Sequence, residues 1–404
     1  MNDRDSEALL GLFIARGYKV ADDPVKADVV LANTCSVRAL AENKARSFLG
    51  EFQGANPGVN GDPGIKRKRI KSTEKKKVVG LIGCMARNEG KRLFQSMAYV
   101  DLICAPGALE RIPGYVEQIM QANGDRSIFA DKNGPAPKRK RIIDLEDRMR
   151  DESAYQAPYR EKKNHANVVI STGCANSCSY CIVPYVRGSL RLRKPEDILN
   201  EVKRAVDGGA KKITLLGQNV NDYEYGVGAK PCFRPGDGGR LHGIAPTNFV
   251  DLLKMVSDIP GVEQIDFISS NPKNTSKELF ELMASSTKIE KFINLPFQSG
   301  SNKILKAMNR GYTREDYLAL IKQYRKIVKG GRVGTDVIVG FPGETDEDFA
   351  DTLDMMKRVK FNVAFIFKYS PRPHSAAFAI VDDVPKNVKE ARHQKLLDLQ
   401  KTFD

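Results

Sequence analysis

The 404-residue chain has no apolar stretch near the roughly 20 residues that a membrane span requires, so a membrane-embedded protein is excluded at the outset. It also lacks the cationic start of a leader. Asp3, Asp5 and Glu7 open the chain, the wrong sign for a secretory n-region or an Arg-rich transit peptide. Cysteine is scarce: seven residues, an odd number spread over the whole length, read as reduced thiols of a cytoplasmic protein and not as a disulfide scaffold. Histidine is scarcer still, with four residues, which gives acid-base catalysis little to work with. Acidic residues are in deficit, since 50 Asp and Glu face 65 Lys and Arg; the net +15 favours an anionic partner such as RNA through phosphate neutralisation. What remains is ordinary globular composition, 41% hydrophobic and 28% charged, in a chain long enough for two or more cores.

Two periodicities organise it. An amphipathic run from Asp5 to Arg16 predicts a helix, and Ala27 to Ala32 a buried strand that ends at Asn33-Thr34-Cys35. The pattern recurs at Lys77 to Cys84, a continuous apolar strand followed by a helix expected near Asn88. Two strand ends in one open parallel sheet would present Cys35 and Cys84 on the edge where α/β sheets bind ligands. Between them, residues 54–77 hold eight Lys or Arg against Asp62 and Glu74, a basic insertion readable as a solvated loop, an RNA-phosphate arm or a localisation patch. A second basic cluster, Lys138 to Arg141, lies in a stretch, 125–163, read as a linker.

From Asn164 onward six short apolar strands alternate with helices: 168–170, 213–216, 264–268, 293–295, 333–339 and 364–369, with helices such as 195–207 and 314–328. Six strands describe a (β/α)6 partial barrel, ending near Phe378 and followed by a C-terminal helix in 379–404. The stretch Glu224 to Asn248, with six Gly and three Pro, reads as a long loop; its Cys232 and His242 could bind a metal, although isolated residues of this kind mostly do not.

The strongest local signal directly follows the first barrel strand: Gly173-Cys174-Ala-Asn-Ser-Cys178-Ser-Tyr180-Cys181, a C-x3-C-x2-C run. Three thiolates on one tight loop can hold three irons of a cubane and leave the fourth open. Zinc would want a closed set of four, and no second C-x2-C pair completes one. The triplet, with Tyr180 before its last Cys, resembles the radical S-adenosylmethionine (SAM) superfamily. The resemblance narrows along the chain. Asn33-Thr-Cys-Ser-Val-Arg38, Gly83-Cys-Met-Ala-Arg87, Gly217-Gln-Asn-Val-Asn221, Leu295-Pro-Phe-Gln-Ser-Gly-Ser301, Ile304-Leu-Lys-Ala-Met-Asn-Arg310, Gly340-Phe-Pro-Gly-Glu-Thr345 and Tyr369-Ser-Pro-Arg-Pro373 look like the methylthiotransferases, in the family's order. Met308 to Tyr312 and Phe365 to Ser370 are most similar to the MiaB-type branch, which acts on isopentenyladenosine beside the tRNA anticodon. The threonylcarbamoyladenosine and ribosomal-protein branches, and a catalytically impaired RNA-binding relative, stay open as alternatives.

The resemblance implies a [4Fe-4S] cluster held by Cys174, Cys178 and Cys181 that binds SAM and cleaves it reductively to a 5′-deoxyadenosyl radical. It implies a second, auxiliary [4Fe-4S] cluster with Cys35 and Cys84 as ligands, the source of the inserted sulfur. Gly217 and Gln218 are implied near the SAM amino group. Gln298 and Ser299, ending the fourth strand, and Asp336, in the fifth, are expected to turn polar groups toward the same cavity, with Tyr180 and Arg310 also expected near SAM. For Gly217 and Gln218 the plainer reading is a turn, and for Arg310 a carboxylate clamp competes with an ordinary Arg at a helix C-terminus. Implied partners are the tRNA anticodon loop and an electron donor such as flavodoxin or ferredoxin. The family places a third auxiliary cysteine just before Met-Asn, where this chain starts, and continues into a β-barrel RNA-binding domain beyond Asp404, so the chain is expected to be truncated at both ends. Cys104 could substitute as a ligand, but its place after Asp101-Leu-Ile reads as a small buried thiol.

Overall fold

A computed structural model describes residues 1–36, 39–52, 77–124, 140–146, 152–156, 159–226 and 246–403. The basic insertion except Lys77, Lys138 and Arg139 of the second basic cluster, Cys232 and His242 lie outside the described residues. The chain divides into two compact units, residues 2–161 with 185–188, and residues 162–184 with 189–404 and Met1.

The first unit is built on a parallel four-stranded sheet, β1 (Val29–Thr34), β2 (Val78–Gly83), β3 (Leu102–Cys104) and β4 (Ile142–Asp144), in that order. β2 is buried at every position, as a central parallel strand covered on both faces must be. Its alternation sorts two cores: Val78 and Ile82 pack with Leu9, Phe13, Val116 and Ile119, while Val79 and Leu81 pack with Leu49, Met85, Leu93 and Met97. Helices Asn2–Ile14 and Ile112–Gly124 supply the first group, and helices Ala39–Gly50, Cys84–Glu89 and Arg92–Ser96 most of the second. Each such fully buried large apolar side chain contributes about 1.5–3 kcal/mol.

Two expectations are corrected here. The helix after β2 begins at Cys84, not near Asn88, because Gly83 at φ 92° turns the chain from strand to helix within one residue. The stretch read as a linker supplies β4, whose three residues among charged neighbours are too short for periodicity to reveal. The other strand and helix boundaries coincide or shift by up to three residues.

The second unit contains β5 (His165–Val169), β6 (Ser171–Thr172), β7 (Arg191–Leu192), β8 (Lys212–Leu216), β9 (Glu224–Tyr225), β10 (Thr247–Asn248), β11 (Gln264–Ile268), β12 (Phe292–Asn294), β13 (Arg332–Val339) and β14 (Val363–Lys368). β5, β8 and β11 pair in parallel, as do β12, β13 and β14, and a parallel bridge between Ile265 and Ile289 links the two sets. The result is the six-stranded partial barrel. β6 with β7 and β9 with β10 are short antiparallel ribbons; the second closes the base of the long loop. Helix Pro195–Asp207 has the expected bounds, with Pro at its start, Glu196 and Asp197 in its first turn and Gly208 at its end. The C-terminal helix Lys386–Gln400 is tied to the barrel by buried Arg392, which donates to Glu344 Oε2 at 2.7 Å. No helix among the described residues is long and apolar enough to cross a membrane.

Candidate functional site

In the second unit the triplet loop leaves β6 at the C-terminal end of the first barrel strand, where barrel enzymes place their chemistry. Gly173 turns it at φ 69°. Two segments distant in sequence hold it: at residues 307–309, Ser179 N donates to Met308 O at 3.0 Å, Ser179 Oγ to Ala307 O at 2.8 Å, and Asn309 Nδ2 to Ser177 O at 2.9 Å. Ala377 N donates to Ser179 O at 2.7 Å. Beneath, Tyr180 packs on Ile304, Met308, Phe341, Tyr369 and Ala377, so three of the separately quoted motifs meet in one small core. Sequence reading missed Ser179, Asn309 and Ala377 as supports; their signal was adjacency to motifs whose purpose was still unassigned.

All three thiols are free and half-buried, and each sulfur accepts from an N–H. Asn176 N donates to Cys174 Sγ at 3.4 Å, Arg310 Nη1 to Cys178 Sγ at 3.2 Å, and Val183 N to Cys181 Sγ at 3.4 Å. Burial pushes the Cys181 thiol up to about 12 and the Cys174 thiol also upward, with neighbouring thiols adding to both. Deprotonation here needs a bound cation, and binding would release the protons. Among the described residues no three His, Cys, Asp or Glu converge on one metal-ion position. A cubane takes one sulfur per iron, so spaced thiols with N–H donors fit it better than they fit a closed zinc site.

The remaining expected residues lie at or just after the strand ends, except Asp336, which sits within β13. Gly217 ends β8, and a Cβ there would meet Ser171 Oγ at 2.6 Å, so the turn reading understates it: only glycine lets these two strand ends approach. Gln218 Nε2 donates to Met1 Sδ at 2.9 Å. Gln298 adopts φ 66°, a left-handed conformation costly for a side-chain-bearing residue, and is held there by Asp336 O and Ile338 N of β13. Ser299 is fully buried, its hydroxyl accepting from Ser301 N, so it shapes the turn. Asp336 accepts from Asn294 Nδ2 at 3.0 Å. Arg310 donates to Cys178 Sγ, to the Tyr312 hydroxyl at 3.1 Å and to Pro296 O at 3.2 Å. These side-chain partners lie on the triplet loop, Tyr312 and Pro296, while its backbone N donates to Leu305 O at the end of helix Asn302–Ala307.

In the first unit, Thr34 of β1 and Gly83 of β2 are register partners, so Cys35 and Cys84 leave adjacent strand ends together. Thr34 Oγ1 donates to Ile82 O at 2.8 Å, and Asn33 Nδ2 to Asn2 O at 2.9 Å, bringing the start of the first helix to the same edge. Cys35 is half-buried and Cys84 buried. Burial raises the Cys84 thiol, Cys35 and Asp5 raise it further, and the charge and hydrogen bond of Arg187 oppose them. Two sulfurs at one sheet edge with a cationic donor fit two corners of a cluster. Cys104, paired with Ile82 below that edge, is buried in the core with its thiol pushed up by burial and by Asp144, as a small apolar thiol would be.

Residues 168–356 match the radical SAM superfamily, and residues 1–105 match the uncharacterized protein family UPF0004. A tRNA-2-methylthio-N(6)-dimethylallyladenosine synthase of Pelotomaculum thermopropionicum is 36% identical over 403 residues, 99% of this chain and 80% of that protein. One of the same description from Moorella thermoacetica is 37% identical over 405 residues, 100% of this chain and 81% of that protein. In fold, the chain is similar to the radical SAM methyltransferase TsrM of Kitasatospora setae, with TM-score 0.57 and 14% identity over 92% of this chain and 70% of that one.

Proposed function

The chain belongs to the tRNA-2-methylthio-N(6)-dimethylallyladenosine synthase family of radical SAM enzymes, and from that membership we propose that it adds a methylthio group to C2 of N6-isopentenyladenosine beside a tRNA anticodon. Its cofactors are SAM and two [4Fe-4S] clusters. Cys174, Cys178 and Cys181 would hold the cluster that takes SAM, and Cys35 and Cys84 two corners of the auxiliary one. When bound, the first cluster supplies the electron that cleaves SAM, chemistry no general base can replace because an adenine C2–H has no useful acidity.

The chain's own residues do the positioning. Arg310, already forked onto Cys178 and Pro296 O, is within reach of a carboxylate docked on the loop, and its planar donor set suits that anion. Gly217 lets the end of β8 pack closely on Ser171, and the strained Gln298 is held beside Asp336 of β13, which brings an amide and a carboxylate onto neighbouring segments. The net positive charge suits a tRNA, whose target base must be splayed out of its stack to be reached. A small electron carrier such as flavodoxin or ferredoxin would serve as reductant, and tRNA as substrate fits a cytoplasmic setting.

One observation carries the reading: three thiols on one strand-end loop, each given an N–H donor, two by the loop's own backbone and one by distant Arg310. The test is anaerobic reconstitution with iron and sulfide, then dithionite and SAM, followed by nucleoside mass spectrometry of tRNA from a strain lacking the gene. Release of 5′-deoxyadenosine and loss of the methylthio nucleoside are expected. An unaltered methylthio-adenosine pool would end the tRNA assignment.

A further inference from the structure

Outside the residues used so far, the first unit buries an arginine that no motif singled out. Arg187 comes from the short helix Val183–Arg187 that follows the triplet, and its side chain is 5% exposed. Its Nη2 donates to Asn2 Oδ1 at 2.7 Å and to Asp5 Oδ2 at 3.3 Å. Asn2 in turn accepts from Asn33, two residues before Cys35, and the guanidinium charge is near enough to Cys84 to oppose the rise that burial gives its thiol. One planar fork thus binds a carboxylate and an amide at the sheet edge, beside the strand end that carries Cys84.

A buried ion pair is weak evidence of a stability role, because taking both charges out of water costs about as much as their attraction returns. Stability therefore leaves this arginine unexplained. Its setting resembles that of Arg310 in the other unit, where the donor lies on the ligand-type sulfur of Cys178. An N–H donated to a cluster sulfur stabilises the more negative, reduced cluster and so raises its potential, and outer partners of this kind also hold ligands in place.

We propose that Arg187 is a positioning residue of the Cys35 and Cys84 site, aimed by Asp5 and Asn2, that donates to the Cys84 sulfur and thereby sets the potential and retention of the auxiliary cluster. This rests on the reading of Cys35 and Cys84 as cluster ligands.

The test uses the full chain with Cys174, Cys178 and Cys181 replaced by Ala, so that iron binds at the sheet edge alone. After anaerobic reconstitution, iron and sulfide are counted and the midpoint potential is followed by electron paramagnetic resonance, with Arg187 intact, as Arg187→Met and as Arg187→Lys. Arg187→Met is expected to shift the potential negative and to hold iron about 10- to 100-fold less tightly, and Arg187→Lys to recover part of both. An unchanged potential at unchanged iron content overturns the proposal. So does iron loss that is equal in the Met and Lys variants and is matched by Asp5→Asn together with a lowered melting temperature, the mark of a structural ion pair only. If no cluster forms even with Arg187 intact, the cluster reading of Cys35 and Cys84 fails first and takes the proposal with it.

Discussion

The two groups of cysteines are brought together by different routes. Cys174, Cys178 and Cys181 lie within eight residues of one another; the loop itself supplies donors from Asn176 and Val183, and distant Arg310 supplies the third. Cys35 and Cys84 are separated by helix Ala39–Gly50, the basic insertion and β2, and meet only because Thr34 and Gly83 are register partners. A local loop keeps its ligand spacing whatever surrounds it. A strand-end pair exists only while the sheet holds its register, since a slip by one residue turns every side chain to the other face.

The sharpest break of that comparison is to remove one sulfur from each site. Cys178→Ala is expected to abolish 5′-deoxyadenosine release, whereas Cys84→Ala should abolish methylthiolation while SAM cleavage persists; chromatography of both products separates the two. Gly83→Ala attacks register without touching a thiol. Its Cβ would lie 2.6 Å from Asn33 Oδ1 and from Thr34 O, at a φ that disfavours side chains. A loss of about 3 kcal/mol in urea unfolding of the first unit is expected, with the triplet's iron retained.

Arg310→Met sharpens the other side. It should cost about 10- to 100-fold in SAM cleavage, and Arg310→Lys should recover little because an ammonium cannot reach sulfur, hydroxyl and carbonyl at once. The smallest effect concerns the turn after Gln298. Burial alone would raise the Asp348 carboxyl, but the Ser301 hydroxyl at 2.6 Å, the Thr345 amide and Lys303 Nζ hold it at about 2, below its ordinary 3.8. A depressed carboxyl stabilises the fold above its unfolded value, so about 2 kcal/mol should be fully present above pH ~4 and vanish as the pH falls through about 2. Asp348→Asn should remove that pH dependence in urea titrations.

Much of this was legible in residue order. The six barrel strands announced themselves as apolar runs bounded by turns, and helix Pro195–Asp207 carried both its start and stop signals. β4 was hidden because three residues give no period, and the helix at Cys84 because a single positive-φ glycine replaces the usual loop. Arg187 was hidden for another reason: a basic residue at the end of a short helix looks solvated until its partners Asn2 and Asp5, from the far end of the sequence, are brought to it.

Spacing along the chain determined by itself which sulfurs could share one loop, because a ligand set within a few residues is constrained by covalent geometry. Only the folded sheet decided that Cys35 and Cys84 are neighbours, and only the folded barrel and helices decided where Arg310 and Arg187 deliver their N–H groups. A long side chain's partner is chosen by burial and by which polar atoms it must satisfy there, and neither is written in its neighbours along the chain.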